Sequence, residues 1–418
     1  MSSSRQKFLS RFRSNQRGAV AIVFALTIVT LVSAGGLAVD YARAYSVAGK
    51  LRSAADSAAL AGAKMLDVKN MSNVQIKSAT DAYFQAQIKT IAHGAVTATP
   101  LEIQIDRTQS TVTVSSDISV LTMFGGVVSI PSLDFSVDST VVYKVKRVEL
   151  AMVLDVTGSM TSGGRLDAMK TSAKNIIDTL VNETTGKNNK IALVPYSASV
   201  NVGSYRHVAS GGDSADGCVM ERLFPANRDT DETPGGSNNF AVNGQLNSND
   251  NGRYVCPNAV LMPLSKDATA LRDKIDSYNA SGWTAGHIGL AWGWNVISPK
   301  WSGVFAGESE PGDYDDDRYV KAVILMTDGS FNTSYTAGTS QSEQQEESRN
   351  RTLALCDNMK ANDIEIFTVA FEAPTDAQTL LQSCASSLSY YFNATDSTQL
   401  NAAFQTIADN LRSMRVTE

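Results

Sequence analysis

Three textures of hydrophobic and polar positions follow one another along the chain. The first is an unbroken apolar run. Gly18 to Val39 is 22 residues without a charge, about 33 Å as helix against a bilayer core of about 30 Å, so it predicts one membrane-spanning helix over 18–39. From Asp40 to about Leu66 the chain continues without proline and rich in alanine, which predicts that the same helix runs on into solvent. Ala54, Ala55, Ala58, Ala59, Ala61, Gly62 and Ala63 offer a small-residue surface, either to another copy of the chain or to the chain's own β-rich part. Asn73 to His93 is a weaker helical pattern and completes a stalk over 40–94.

The second texture is alternation. Leu101-Glu-Ile-Gln-Ile105, Ser110-Thr-Val-Thr-Val114 and Phe135 to Val145 read as short antiparallel strands of a small β-rich unit over 95–146, broken near Gly125-Gly126 and Pro131. Nothing in it points to chemistry, and a spacer or subunit contact is the expected role.

The third texture alternates continuous apolar runs with helical spacing. Val148–Leu154, Lys190–Val200, Val320–Met326, Ile364–Phe371 and Tyr390–Asn393 read as strands. Arg165–Val181, Asp267–Tyr278, Thr284–Ile297, Ser342–Ala361, Ala377–Ala385 and Gln399–Met414 read as helices. That order predicts an α/β fold over 147–418, a doubly wound, Rossmann-like parallel sheet covered on both faces. A polar, Gly- and Asn-rich insertion over 201–257 is too long for an ordinary connection and is expected to be functional or partly disordered.

Composition adds location. The 418 residues suit two or three domains, and the net charge of −6 argues against a nucleic-acid partner. Arg5, Lys7, Arg11, Arg13 and Arg17 precede or open the apolar run, and no acid comes before Asp40. A basic flank of this kind stays in the cytoplasm, so residues 1–17 are expected inside. The protein is then a single-pass inner-membrane protein with its C-terminal part periplasmic or extracellular. A cleaved signal peptide is the competing reading, although Ser33-Ala34-Gly35 fits a cleavage site only loosely. The four cysteines suit export: Cys218 and Cys256 bracket the insertion, Cys356 and Cys384 lie near successive helices, and pairing in that order would staple local loops. Buried reduced thiols are the alternative. The lack of C-x-x-C and a total of three histidines speak against zinc.

Candidate chemistry gathers at strand ends. The run Val148–Leu154 delivers Asp155, then Thr157 and Ser159; Ser281-Gly-Trp-Thr284 opens a helical pattern; Ala322–Thr327 delivers Asp328-Gly329. Hydroxyls with carboxylates, and no His or Cys, suit a hard divalent cation. In this order Asp155, Thr157, Ser159, Thr284 and Asp328 resemble the metal-ion-dependent adhesion site of von Willebrand factor type A domains, with Thr157 where the family has serine. The resemblance covers roughly Lys146 to the C-terminus. It implies that Mg²⁺, or Mn²⁺ or Ca²⁺ in its place, is held by these five residues and its waters, and that a partner's acidic side chain completes the shell. The alternative is a structural loop with Asp155 as a helix cap.

The N-terminal segment resembles a second family. Arg17-Gly-Ala-Val-Ala-Ile-Val-Phe-Ala-Leu, Gly36-Leu-Ala-Val-Asp40 and Ala54-Ala-Asp-Ser-Ala-Ala-Leu-Ala-Gly-Ala63 are similar to TadG-like proteins of the tight-adherence (Flp, type IVb) pilus machinery. The related TadE and TadF pseudopilins carry a glutamate where this chain has Val23, which implies an uncleaved, membrane-anchored member of the group.

Other strings carry less. Gly312-Asp-Tyr-Asp-Asp-Asp-Arg318 has Arg318 where a calcium loop needs glycine, and Asn247-x-Asn249-x-Asn251-Gly252 lacks the terminal glutamate, so both read as solvated loops. Trp283, Trp292 and Trp294 read as core packing. Asp155-Val-Thr157-Gly also resembles the nucleophile loop of haloacid-dehalogenase-type phosphotransferases, but the lysine and the later acidic pair of that chemistry are missing. The sequence therefore predicts a non-enzymatic, membrane-anchored component of tight-adherence pilus assembly that binds pilus-assembly or envelope proteins through a divalent cation. A metal-dependent surface adhesin or envelope-matrix binder is the alternative.

Overall fold

The apolar run and the alanine-rich segment form one continuous helix, α1 (Arg17–Lys64), in the computed structural model. The structure describes residues 17–67, 71–92, 96–107, 110–143, 146–181, 188–212, 215–246 and 254–414. Arg5, Lys7, Arg11, Arg13 and the string 247–252 lie outside them. Among the described residues α1 is the one helix long and apolar enough to cross a membrane. The chain divides at residues 143/144 into two units.

In the first unit α1 is followed by α2 (Asn73–Ala92) and four strands: β1 (Val96–Ala98), β2 (Glu102–Asp106), β3 (Thr111–Leu121) and β4 (Ser132–Val142). All pairings are antiparallel. β4 lies along the whole of β3, while β2 and β1 share its other edge. Alternation along β3 buries Val112, Val114, Ile118 and Val120. The small residues of α1 are what let it lie close to this face: Ala54, Ala55, Ala58, Ala59 and Ala63 share a cluster with Phe84, Ile103, Val112 and Val114. Of the two occupants foreseen for that surface, the chain's own β-rich unit takes it. β1 was not foreseen as a separate strand, being only three residues long.

The second unit begins with β5 (Arg147–Asp155), α3 (Arg165–Leu180) and β6 (Lys190–Tyr196). The insertion follows with β7 (Val200–Asn201), α4 (Arg206–Ser210) and β8 (Cys218–Val219). Then come β9 (Met262–Ser265), α5 (Ala268–Asp276), α6 (Gly286–Asn295), β10 (Tyr319–Thr327) and α7 (Gln341–Lys360). β11 (Glu365–Phe371), α8 (Thr375–Cys384), β12 (Tyr391–Ala394) and α9 (Ser397–Met414) complete it. The sheet order is β12-β11-β10-β5-β6-β9, parallel except for β9. Along β5, Leu150, Met152 and Leu154 join α3, α5 and α9 on one face, while Ala151 and Val153 join α6, α7 and α8 on the other. Burial on both faces is why the strand reads as an unbroken apolar run. This is the doubly wound α/β fold expected. The antiparallel edge strand β9 escaped sequence reading because Pro263 interrupts a four-residue stretch, and proline sits in sheets at such edges.

Every residue of α6 is buried. It can lie that close to the sheet because Gly289 faces Tyr196; a Cβ there would come 2.6 Å from the tyrosine ring. Trp292 and Trp294 are core residues as expected, but Trp283 is 39% exposed, since it lies in the loop before the helix.

The insertion, expected to be functional or partly disordered, is packed against the core in its described residues. Val219, Met220, Phe240 and Ala241 are buried in the core, and Phe240 packs on Trp292 with ring centroids 4.8 Å apart. A disulfide joins Cys218 to Cys256, and a second joins Cys356 on α7 to Cys384 on α8. The buried carboxylate of Glu221 takes three bonds at Oε1: His287 Nε2 (2.9 Å), the Ser334 hydroxyl (3.1 Å) and the Tyr335 amide (3.0 Å). Polar composition hid this segment from a reading based on apolar periodicity, because much of its anchoring is by cross-links and hydrogen bonds.

Candidate metal centre

Parallel strands that share a direction bring their C-terminal ends to one edge of the sheet, and loops at that edge carry side chains toward solvent. β5 ends on Asp155, and β10 ends on Thr327 with Asp328 next. These strands are adjacent, so two carboxylates from distant parts of the sequence meet.

Asp155 is fully buried. Its Oδ1 accepts the Thr157 amide at 2.8 Å, and its Oδ2 accepts the Thr327 hydroxyl at 2.7 Å. The Tyr196 hydroxyl lies 3.4 Å from Oδ2 and bonds the Met326 carbonyl at 3.1 Å. Burial first, and then the neighbouring Asp328, push the Asp155 carboxyl up to about 6; hydrogen bonds from Thr157 and Thr327 pull the other way. Burial and the Asp155 charge likewise raise the Tyr196 phenol well above its ordinary range, so it stays a neutral donor.

The turn after β5 continues the network. The Thr157 and Ser159 hydroxyls are 2.9 Å apart, and the Ser159 hydroxyl donates to Asp328 Oδ1 at 2.5 Å. Thr284 reaches this edge through its backbone. The Ser281 amide bonds the Val156 carbonyl (2.8 Å) and the Gly158 amide bonds the Gly282 carbonyl (2.9 Å), which stitches the two loops together. Asn332 then holds Thr284 from the other side, its Oδ1 accepting the Thr284 amide and its own amide donating to the Thr284 carbonyl, both at 2.9 Å. Side-chain and backbone bonds thus join Asp155, Thr157, Ser159 and Asp328, with Thr284 carried alongside by its loop.

Sequence reading missed five contributors. Thr327, Tyr196 and Asn332 position the oxygens just described; a hydroxyl directly before Asp328 was the available signal for the first. Arg165, the first residue of α3, donates from Nη1 to Asp328 Oδ2 at 3.0 Å and from Nε to Glu372 Oε2 at 2.9 Å. Partial burial works against its charge, but the bonds to Glu372 and Asp328 outweigh this and raise its pKa. Glu372 follows β11 with a left-handed backbone (φ 50°), a conformation uncommon for a residue with a side chain.

The five foreseen oxygens come from two carboxylates and three hydroxyls, a set that suits a hard divalent ion and offers nothing to a soft one. The test of fit is the burial of the donors: Asp155 is fully buried with the buried Asp328 close by, and carboxylates crowded out of water favour a cation among them. Asp155 caps no helix; the turn after it has no side-chain cap. Elsewhere, Asp216, Cys218 and Cys256 cluster closely, but the two sulfurs are bonded to each other and Asp216 takes the Tyr254 hydroxyl (2.6 Å) and the Cys218 amide (3.0 Å), so no thiolate is on offer. In the 312–318 string Asp316 is paired bidentately with Arg318.

Comparison with known proteins gives the following. Residues 18–65 match the family described as putative Flp pilus-assembly TadE/G-like, so the N-terminal segment carries that domain. No curated protein matches the sequence. Among solved structures, the chain is similar to the pilus adhesin SpaC from Lactobacillus rhamnosus GG, at 14% identity over 77% of this chain and 35% of that one, TM-score 0.41. It thus spans about a third of that adhesin's length. It is also similar to the vWF domain of the type V pili tip protein Mfa5 from Porphyromonas gingivalis, at 14% identity over 66% of this chain and 98% of that one, TM-score 0.40. The pilus adhesin RrgA from Streptococcus pneumoniae is a third, at 12% identity over 77% and 49%, TM-score 0.36.

Proposed function

We propose that this protein is a membrane-anchored component of tight-adherence (Flp, type IVb) pilus assembly, and that its C-terminal unit binds protein partners through a divalent cation. The TadE/G-like segment supports the process. The observation that carries the binding mode is the hydrogen-bonded run from Thr157 through Ser159 to Asp328 beside the buried Asp155. Asp155, Thr157, Ser159, Thr284 and Asp328 would hold the ion, with Mg²⁺ favoured and Mn²⁺ or Ca²⁺ as substitutes. When bound, the ion supplies a Lewis-acidic position that a partner's Asp or Glu carboxylate fills. Thr327, Tyr196 and Asn332 orient the set, and Arg165 balances the charge of Asp328.

The role is non-enzymatic in this reading. Both oxygens of Asp155 already accept hydrogen bonds, which suits an oriented ligand better than a nucleophile. The two disulfides support placing the second unit outside the cytoplasm, with α1 as a single-pass inner-membrane anchor.

The test is calorimetric titration of Mg²⁺, Mn²⁺ and Ca²⁺ into the full chain in detergent micelles, wild type against Asp155→Ala. Saturable binding lost in the variant is expected; a folded wild type that binds none of the three ions removes the metal-dependent mode. In cells, deletion of the chain should abolish pili, and the same variant should fail to restore them. Intact pili with lost surface attachment would favour the adhesin alternative.

A further inference from the structure

The β3–β4 turn is the most apolar exposed feature of the first unit outside α1. No charged residue occurs from Ile118 to Leu133. At the tip Met123 is 71% and Val127 74% exposed, with Leu121, Phe124, Val128 and Ile130 also open. Isolated exposed apolar side chains are ordinary, but six within ten residues form a patch that asks for an apolar partner.

The fold fixes where this patch sits. Asp40, the first charged residue after the apolar run, accepts three backbone amides of the turn: Met123 to Oδ1 and Phe124 and Gly125 to Oδ2, each at 2.8 Å. One turn of helix earlier, Gly36 lies against Phe124, so closely that a Cβ on Gly36 would come 2.6 Å from Phe124 Cβ. Gly36 is three residues inside the uncharged segment, which places the Phe124 ring about 4–5 Å within it at 1.5 Å per residue. Just beyond Asp40 on the solvent side come the exposed rings of Tyr41 and Tyr45, stacked at 6.3 Å, and Arg43, whose guanidinium bonds the Leu121 carbonyl. Aromatic and basic residues of this kind concentrate at the lipid headgroups.

We propose that the β3–β4 turn, residues 121–130, dips into the lipid–water interface of the leaflet from which α1 emerges, so that the first unit is seated on the bilayer. The occupant is the membrane because the patch is continuous with the spanning segment and locked to it in register. A protein partner would leave unexplained why the apolar tip is level with the end of the uncharged helix. The inference rests on reading residues 18–39 as the membrane span. The depth this places at Phe124, about 4–5 Å, is at the shallow end of the roughly 5–10 Å of an interfacial amphipathic element. Asp40 then satisfies three amides that would otherwise enter the interface without a partner.

The test uses site-directed spin labels on the full chain in vesicles of phosphatidylethanolamine and phosphatidylglycerol. The natural cysteines are in disulfides, so an introduced cysteine is the labelled one. Val127→Cys reports the tip, Val29→Cys the span, and Val74→Cys the end of the unit where Asn73 meets Arg107, remote from the turn. Collision with lipid-soluble oxygen relative to a water-soluble nickel chelate gives depth. The expected ratio at Val127 is several-fold above that at Val74 and approaches that at Val29. A Val127 label as aqueous as Val74, with Val29 in lipid, overturns the inference and leaves the anchor standing. A Val127 label shielded from both reagents overturns it too, since protein would then cover the tip. An aqueous Val29 removes the anchor reading, and the inference with it.

Discussion

Arg165 and Asp328 form an ion pair at 3.0 Å in which the carboxylate is wholly buried and the guanidinium is shared with Glu372. The pair sets a fixed positive charge beside oxygens proposed to hold a cation. Replacing it by Arg165→Gln keeps a hydrogen-bond donor and removes the competing charge. Mg²⁺ should then bind about tenfold tighter, roughly 1.4 kcal/mol, the scale of one partly screened Coulomb interaction. Calorimetry on both proteins decides this; unchanged or weaker binding would mean that Arg165 orients Asp328 more than it opposes the ion.

The Asp155 carboxyl, raised to about 6 from 3.8, makes the metal-free protein sensitive to pH. The folded state holds this proton more tightly than the unfolded chain. Its stabilising effect is therefore complete below about pH 4 and is lost as pH rises through about 6. In chelator, Asp155→Asn should gain stability relative to wild type over that window, by about 3 kcal/mol for a shift of about two units. Denaturant unfolding at a series of pH values measures it, and saturating Mg²⁺ should restore the wild-type advantage.

Asn332 holds Thr284 by two bonds, its side-chain Oδ1 accepting the Thr284 amide and its backbone amide donating to the Thr284 carbonyl, and only the first depends on the side chain. Asn332→Ala should weaken Mg²⁺ affinity several-fold through misplacement of Thr284, at a stability cost of about 1–2 kcal/mol for the bonds lost at Oδ1, from the Thr284 amide and the Thr333 hydroxyl. A loss of stability with unaltered metal affinity would show that Thr284 is not a ligand.

Glu221 lies on the opposite balance from Asp155. Burial raises its pKa, but the bonds from His287 and Tyr335 more than compensate and hold it below 4.5. Its contribution is thus present above that pH and fades as pH falls through the lowered value. Glu221→Gln should cost about 2 kcal/mol near neutral pH, with the difference from wild type narrowing in acid, as read by urea titration.

The Cys218–Cys256 bridge closes a sequence separation of 38 residues within the insertion. Loop-closure entropy gives it about 4 kcal/mol, and the double variant Cys218→Ser/Cys256→Ser should lose up to that amount in denaturant unfolding. Because Phe240 and Met220 depend on the same segment, proteolysis should first appear between residues 215 and 246.

The sequence by itself determined the elements whose physics is local. Twenty-two uncharged residues are long and apolar enough as helix to cross a bilayer, and runs such as Val148–Leu154 read as strands buried on both faces. It also offered Asp155, Thr157, Ser159, Thr284 and Asp328 as candidates, because oxygen-bearing side chains at strand ends, in an order that resembles a known adhesion site, can be read along the chain; whether they hold an ion is the proposal that titration tests. What only the tertiary structure decided was everything that depends on register between distant segments. Arg165 meeting Asp328 and Glu372, Asn332 holding Thr284, Glu221 seating the insertion, and Asp40 capping the turn at Phe124 are pairings across 40 to more than 200 residues. No periodicity encodes them: a charged or polar residue reads the same in sequence whether it faces water or a partner, and only packing brings the partner within hydrogen-bond reach.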